Sequence, residues 1–398
     1  MTKLSARINS IKPSPTLAIT MKANALRAEG RDVIGFGAGE PDFDTPDNVK
    51  KAAIQAIEEG FTKYTPVGGI DELKDAIIGK LNRDNKLNYT RAQIVVSCGA
   101  KHTLYNLAQV LFEEGDEVII PSPYWVSYPD IVILTGAKPV ILKTNASAGF
   151  KIGPGQLEEA INPRTKAVII NSPSNPTGVA YTQAELAELA EVVVQKDVLA
   201  ISDDIYEKIL YDGISFANMA TVNADMKERT VVVNGVSKSH AMTGWRIGYA
   251  AGPVEIIAAA TKLQSQNTSN PTSIAQKAAV EALNGDQAIV EAMVKEFEKR
   301  RNVMVDSLNA IPEITCMTPQ GAFYVFPEIA GLLGRKYGGK VLATSSDVAA
   351  WLLDEANVAV IPGGEFGQDD HIRLSYATSM SNIEKGLKRI RDAIMKLI

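Results

Sequence analysis

KAVIIN (166–171), VLAIS (198–202) and TVVVNG (230–235) are the most telling stretches of this chain. Each is a short, nearly continuous apolar run rich in β-branched residues, and each is separated from the next by enough chain for a helix or a long loop. A strand without polar alternation is covered on both faces, the condition of a parallel sheet lying between layers of helices. On either side, IVVSC (94–98), EVIIP (117–121), KPVIL (138–142) and RIGYAAG (246–252) extend the series. QAELAELAEVVVQKD (183–197), with apolar residues at helical spacing, typifies the helices between them. The expected class is therefore α/β, with a mostly parallel central sheet flanked by helices.

After Gly285 the pattern changes. A long helical stretch (287–310) leads to GAFYVF (321–326), a helix near 346–356, VAVIPG (358–363), IRLSYA (372–377) and a last helix from about 381. This predicts a smaller α+β domain. The first 45 residues end in the turn-rich GAGEPDFDTP (37–46) and are expected to join it. The division is an N-terminal segment 1–45, a large domain 46–285 and a small C-terminal domain 286–398.

A chain of 398 residues exceeds one small core, and 45% hydrophobic with 22% charged residues is ordinary for a globular protein. The net charge of −5 gives no broad field for nucleic acid or an anionic membrane, so any bound anion must meet a local cluster of donors. Two cysteines, Cys98 and Cys316, make no disulfide framework, and Cys98 in its apolar run is expected to be buried filler. His102, His240 and His371 lack metal-ligand spacing, so no metal is expected. No secretory signal and no run near the ~20 apolar residues of a membrane span is visible, so a cytoplasmic protein is expected.

Ligands of an open parallel sheet bind at the carboxyl ends of its strands. The passages there are GAKH (99–102), SPYWVSY (122–128), SPSNPTG (172–178), DDIYE (203–207) and VSKSHAMTGWRIG (236–248). Lys238 opens the last of these, in a tight context of small residues with Arg246 eight positions on. A lysine that forms a Schiff base must be partly neutral, and positive charge nearby or desolvation lowers its pKa; the alternative is a solvated surface lysine. Gly99, Ala100 and Lys101 open a helix directly after a strand, where free N–H groups and the helix dipole favour an anion. No GxxxxGK[ST] loop is present, and GFGAGE (35–40) lacks the spacing of a dinucleotide-binding turn.

Taken together, SKSHAMTGWRIGYAAGP, NSPSNPTG, SDDIYE, AGEPDFDTP and IRLSYAT resemble the class I aminotransferases among the fold-type I pyridoxal-phosphate enzymes. More narrowly they are similar to the bacterial aspartate aminotransferase branch, which includes members that accept prephenate. The resemblance runs in order from about Lys12 to the final helix. It implies pyridoxal 5'-phosphate carried by Lys238, with Asp203 against the pyridine nitrogen and Asn175 and Tyr206 on the ring 3-hydroxyl. Gly99, Ala100, Lys101, Ser237 and Arg246 would hold the phosphate, and Trp125 would stack on the ring. Tyr64 would reach the phosphate of a neighbouring subunit, making the active unit a homodimer.

For the substrate, the resemblance implies that Arg373 grips the α-carboxylate in bidentate fashion, with the backbone of Gly39 beside it and Trp125 and Asn175 also in contact. A structural salt bridge is the rival role for Arg373. Lys101 and Lys12 would meet a distal carboxylate, the Lys12 position being linked to prephenate. The implied reaction is L-aspartate + 2-oxoglutarate to oxaloacetate + L-glutamate, with prephenate to arogenate as an extension. Three features depart from the pattern: no arginine matches the distal clamp of the animal-type enzymes, GAKH stands where GGKQ is more usual, and His240 replaces an aromatic residue. Broader or aromatic amino-acid specificity, a lyase on the same scaffold, and an effector-binding module without turnover are the alternatives. The last has no spare length for a DNA-binding domain.

Overall fold

The computed structural model describes residues 2–11 and 15–397. Its centre is a seven-stranded sheet: β1 (Ile94–Ser97), β2 (Glu117–Ser122), β3 (Lys138–Lys143), β4 (Thr165–Asn171), β5 (Leu199–Asp203), β6 (Thr230–Gly235) and β7 (Gly248–Ala251). The spatial order is β1-β7-β6-β5-β4-β2-β3. All neighbours are parallel except β7, which runs antiparallel to both β1 and β6. The carboxyl ends of β1, β2, β4, β5 and β6 consequently open on one edge, and the paired residues Asn171 and Asp203 stand side by side there.

Helices cover both faces because adjacent strand residues point to opposite sides. On one face Val96, Val232 and Tyr249 pack against α1 (Asp47–Glu58), α2 (Asp71–Asn85) and α6 (Ser273–Asn284), through Val49, Leu73, Ile77 and Ala279. On the other, Val95, Val231 and Ala250 meet Leu104 and Leu107 of α3 (Ala100–Leu111) and Ile257 of α5 (Val254–Asn267). Each such valine, leucine or isoleucine side chain contributes roughly 1.5–3 kcal/mol on burial. Helix α4 (Gln183–Gln195) begins at a reciprocal cap: the Thr182 side chain accepts the N–H of Glu185, and the Glu185 carboxylate accepts that of Thr182.

Three local expectations need correcting. The strand VLAIS extends to Asp203, so this carboxylate is the last strand residue rather than the first beyond it. The last strand starts at Gly248, because Arg246 has φ +55 and cannot belong to a strand. Cys98 lies past the end of β1 and is half-buried, not enclosed filler.

The C-terminal part is built on a three-stranded antiparallel sheet of β8 (Tyr324–Val325), β9 (Ile361–Pro362) and β10 (Ile372–Ser375), in the order β9-β10-β8. Ile34–Gly35 pairs in parallel with Val358–Ala359, which fastens the N-terminal segment to this region. Helices α7 (Ala288–Asn309), α8 (Ser345–Ala356) and α9 (Met380–Leu397) pack around it through Phe297, Leu352 and Leu387. The same apolar cluster takes in Phe36, Ile205, Tyr206 and Ile209, so the C-terminal core runs directly into the segment after β5. Arg373 occupies the second position of β10, opposite Ile361.

Candidate active site

The strand ends and the C-terminal sheet enclose a cavity of about 470 Å³. Eleven of the residues singled out in the sequence face it. Asp203, Lys238, Ser237, Asn175, Tyr206 and Arg373 form its deeper wall, and Gly39, Ala100, Lys101, Trp125 and Arg246 complete it. Gly99 stands immediately behind Arg246 and does not face the cavity. Tyr64 is 89% exposed and lies outside it. Lys12 falls outside the described residues.

Lys238 projects from the turn after β6, which is closed by bonds from the backbone N–H of His240 to Val236 O and of Met242 to Ser237 O. Its Nζ donates to the carbonyl of Gly39. Burial brings the ammonium down to about 8; the carboxylate of Glu40 opposes that shift, while Arg373 and Arg246 add to it. A substantial neutral fraction near pH 8 follows, as a nucleophilic amine requires. Asp203 shifts the other way. Burial pushes its carboxyl up to about 6, partly offset by the Tyr128 hydroxyl, which donates to Oδ2 at 2.6 Å, and by the Ile205 N–H. Asp204 turns away from the cavity: Ser202 and Asn218 hydrogen-bond its carboxylate.

The anion cradle has a steric signature. Gly99 has φ +91, and a Cβ there would collide with the Arg246 guanidinium. A Cβ on Gly248 would strike the backbone of Gly99 and Ala100, so both glycines are required for strand and helix N-terminus to close on each other. Arg246 is held by carbonyls alone, Nη1 donating to Thr243 O at 2.8 Å and Nη2 to Cys98 O at 3.4 Å. Among the described residues it has no carboxylate partner. The imidazole of His102 secures the loop from behind, its Nδ1 accepting the Cys98 N–H at 3.1 Å. Lys101 stands at the mouth with its Nζ 4.9 Å from the centroid of the Trp125 ring. Crowding by the wall and the charge of Arg246 lower its pKa, although the side chain keeps an open face to solvent.

Arg373 is 3% exposed, yet no carboxylate among the described residues pairs with it. Its Nη1 donates to Asn175 Oδ1 at 2.9 Å and its Nη2 to Gly37 O at 3.0 Å, while Nε has no partner. The structural salt bridge that rivalled a binding role is therefore absent among the described residues. Because Asn175 Oδ1 accepts from Arg373, its Nδ2 donors remain for the cavity.

Residues missed in the sequence are Tyr128, Tyr324, Glu40, Thr243 and Asn171, all of which face the cavity. Tyr128 and Tyr324 sit in SPYWVSY and GAFYVF, where an aromatic residue looks like core. Asn171, the last residue of β4, donates to Asp203 O and accepts the Asn175 N–H, both at 2.9 Å. His240 faces inward against Ser239 and Gln287, and burial takes its pKa down to about 4; it does not line the cavity.

The family profile "Aminotransferase class I and II" matches residues 31–390. The chain belongs to this family. Across 391 residues this aminotransferase is 55% identical to an aspartate aminotransferase of Geobacillus stearothermophilus, covering 98% of each chain. It is 51% identical to an aspartate/prephenate aminotransferase of Nitrosomonas europaea, over 98% of this chain and all of that protein. The crystal structure of the Rhizobium meliloti aspartate aminotransferase superposes on this aminotransferase with a TM-score of 0.97 at 48% identity, each chain covered completely. Among the described residues no helix is long and apolar enough to cross a membrane.

Proposed function

We propose that this aminotransferase carries pyridoxal 5'-phosphate on Lys238 and moves the amino group of L-aspartate to 2-oxoglutarate, with prephenate as a further acceptor. One observation carries the reading: a half-buried lysine with a depressed pKa and a buried arginine that no carboxylate among the described residues pairs with face the same cavity. The names of the relatives from Geobacillus stearothermophilus and Nitrosomonas europaea support the choice of substrates.

The residues fit the cofactor. Lys238 supplies the amine, Asp203 a buried carboxylate for a protonated ring nitrogen, and Asn175 and Tyr206 donors for a ring oxygen. The start of α3, Ser237 and Arg246 form a cradle in which a side chain at position 99 would displace the guanidinium. Trp125 gives one flat apolar wall. When bound, the protonated ring draws electrons from the substrate Cα and makes its Cα–H bond acidic.

The chain's own residues do the rest. Arg373 grips the α-carboxylate through two parallel N–H donors and so orients the Cα–H bond. Lys238 Nζ, once neutral, would take the proton leaving Cα and deliver it to the cofactor's C4′ in the same half-reaction, the opposite half-reaction reversing both transfers. Asp203, as an anion, keeps the ring proton in place. Lys101, together with Lys12, meets the distal carboxylate. Tyr64, exposed on a single chain, completes the phosphate site of a second copy in a homodimer, and the protein works in the cytoplasm.

The test is reduction with borohydride after adding pyridoxal 5'-phosphate. A stable adduct on the peptide bearing Lys238 is expected, with loss of both adduct and transamination in Lys238→Ala. Wild-type rates in that variant would overturn the reading.

A further inference from the structure

Two phenol oxygens lie side by side in the cavity wall: Tyr206 and Tyr324 are 2.9 Å apart, and both side chains are buried. Tyr206 comes from the segment after β5, Tyr324 from β8, so the contact joins the two halves of the molecule. The ring of Tyr324 also lies against Arg373, whose guanidinium carbon is 4.5 Å from its centroid; Phe366 covers the guanidinium at 5.0 Å. Tyr324 thus touches both the carboxylate-binding cation and a residue assigned to the ring oxygen.

A pair of hydroxyls has one internal hydrogen bond and two directions for it. The oxygen that accepts keeps its own proton for another partner. The oxygen that donates must find its acceptor inside the pair. Burial raises both phenols, and the Arg373 charge pulls each back; in Tyr324 that charge is the largest opposing influence. A phenol whose ring faces a cation is the better donor, so the favoured direction runs from Tyr324 to Tyr206. The proton of Tyr206 is then free to point into the cavity, and a donor that itself accepts a hydrogen bond is polarised and strengthened.

We infer that Tyr324 is a positioning residue for the transamination site: it fixes the Tyr206 hydroxyl as a donor into the cavity and ties that donor's strength to the charge on Arg373. The inference rests on the assignment of Lys238 as the cofactor-bearing residue. A mere packing aromatic would fill the same space without setting a proton.

The experiment is a pH titration of the visible absorbance of the lysine-bound cofactor in the reconstituted holoenzyme. A weaker donor on the ring oxygen makes the bound nitrogen more basic, so Tyr324→Phe is expected to raise the apparent pKa by about half a unit. Tyr206→Phe should raise it further, and Tyr206→Phe combined with Tyr324→Phe should match Tyr206→Phe alone. Fluorinated tyrosine incorporated at position 324, a more acidic phenol of nearly the same shape, should lower it. These opposite signs cannot come from a structural disturbance, and the fluorinated protein alone decides the matter if Tyr324→Phe does not fold. An unshifted pKa in Tyr324→Phe, an equal shift in the Tyr206→Phe background, or no lowering by fluorination overturns the inference. A wild-type protein that forms no absorbing adduct overturns the functional reading instead.

Discussion

At the floor of the cavity Arg373 and Asp203 are each 3% exposed, whereas at its mouth Arg246 and Lys101 stand open to solvent. All four side chains carry charge toward the same space, but they have given up different amounts of water to do so. Arg373 is clamped between two rings, with two carbonyl acceptors and an unpartnered Nε. Arg246 rests on carbonyls at an edge that remains hydrated. A buried charge without its counter-ion is costly in the empty protein and strongly favourable when the counter-ion arrives. The floor is therefore built for selectivity and the mouth for capture.

Arg373→Leu, at the floor, is expected to have the largest effect. Steady-state kinetics should show kcat/KM for aspartate falling on the order of 10³-fold, because the substrate carboxylate loses a buried, bidentate partner. Thermal unfolding of the substrate-free protein should show no loss of stability, since a buried cation with no carboxylate partner among the described residues has gone. A large loss of stability with intact kinetics would contradict the assignment.

Asp203→Asn probes the other floor charge through pH. The folded pKa of about 6 lies above the unfolded value of 3.8, so the native state binds the extra proton between them. Stability from this group is full below the unfolded value and is lost as pH rises through 6. Above that point the wild-type carboxylate costs about 3 kcal/mol in the cofactor-free protein. Asp203→Asn should therefore be the more stable at pH 8, with the advantage vanishing near pH 4, while its affinity for the cofactor falls. Chemical denaturation at several pH values checks this.

At the mouth the effects should be smaller. Arg246→Gln is expected to weaken cofactor binding by about 10–100-fold, the worth of a charge-assisted bond to a phosphate. It should leave the stability of the cofactor-free protein nearly unchanged. Fluorescence titration of the cofactor-free protein with pyridoxal 5'-phosphate measures it.

The layered sheet was legible because Val168–Ile170, Ala200–Ile201 and Val231–Val233 are apolar without alternation, a pattern that burial on both faces imposes. The direction of β7 was not, since an antiparallel strand buried on both faces has the same composition. Lys238 was conspicuous as an ionisable group just past an apolar run, whereas Asp203 and Arg373 were singled out through the family resemblance of SDDIYE and IRLSYAT. Tyr128 and Tyr324 were not. A tyrosine in an aromatic-rich strand has the same sequence signature whether its hydroxyl is idle or, as here, bonded to Asp203 or Tyr206. Such partners are 75 and 118 positions away, and only the folded chain brings them together. GAKH hid the use of His102 for a similar reason, because its imidazole serves the backbone of its own loop.

The antiparallel strand β7 has a mechanical consequence. Gly235 and Gly248 are register partners, so the chain carrying Lys238 and Arg246 leaves the sheet and returns to it at adjacent points. That stretch behaves as a staple with both legs driven into one plank. Its amine and guanidinium share that one footing, whereas Arg373 and Tyr324 ride on the other plank. Any hinge between the two would act as a caliper on the substrate and leave the cofactor's own seat unmoved.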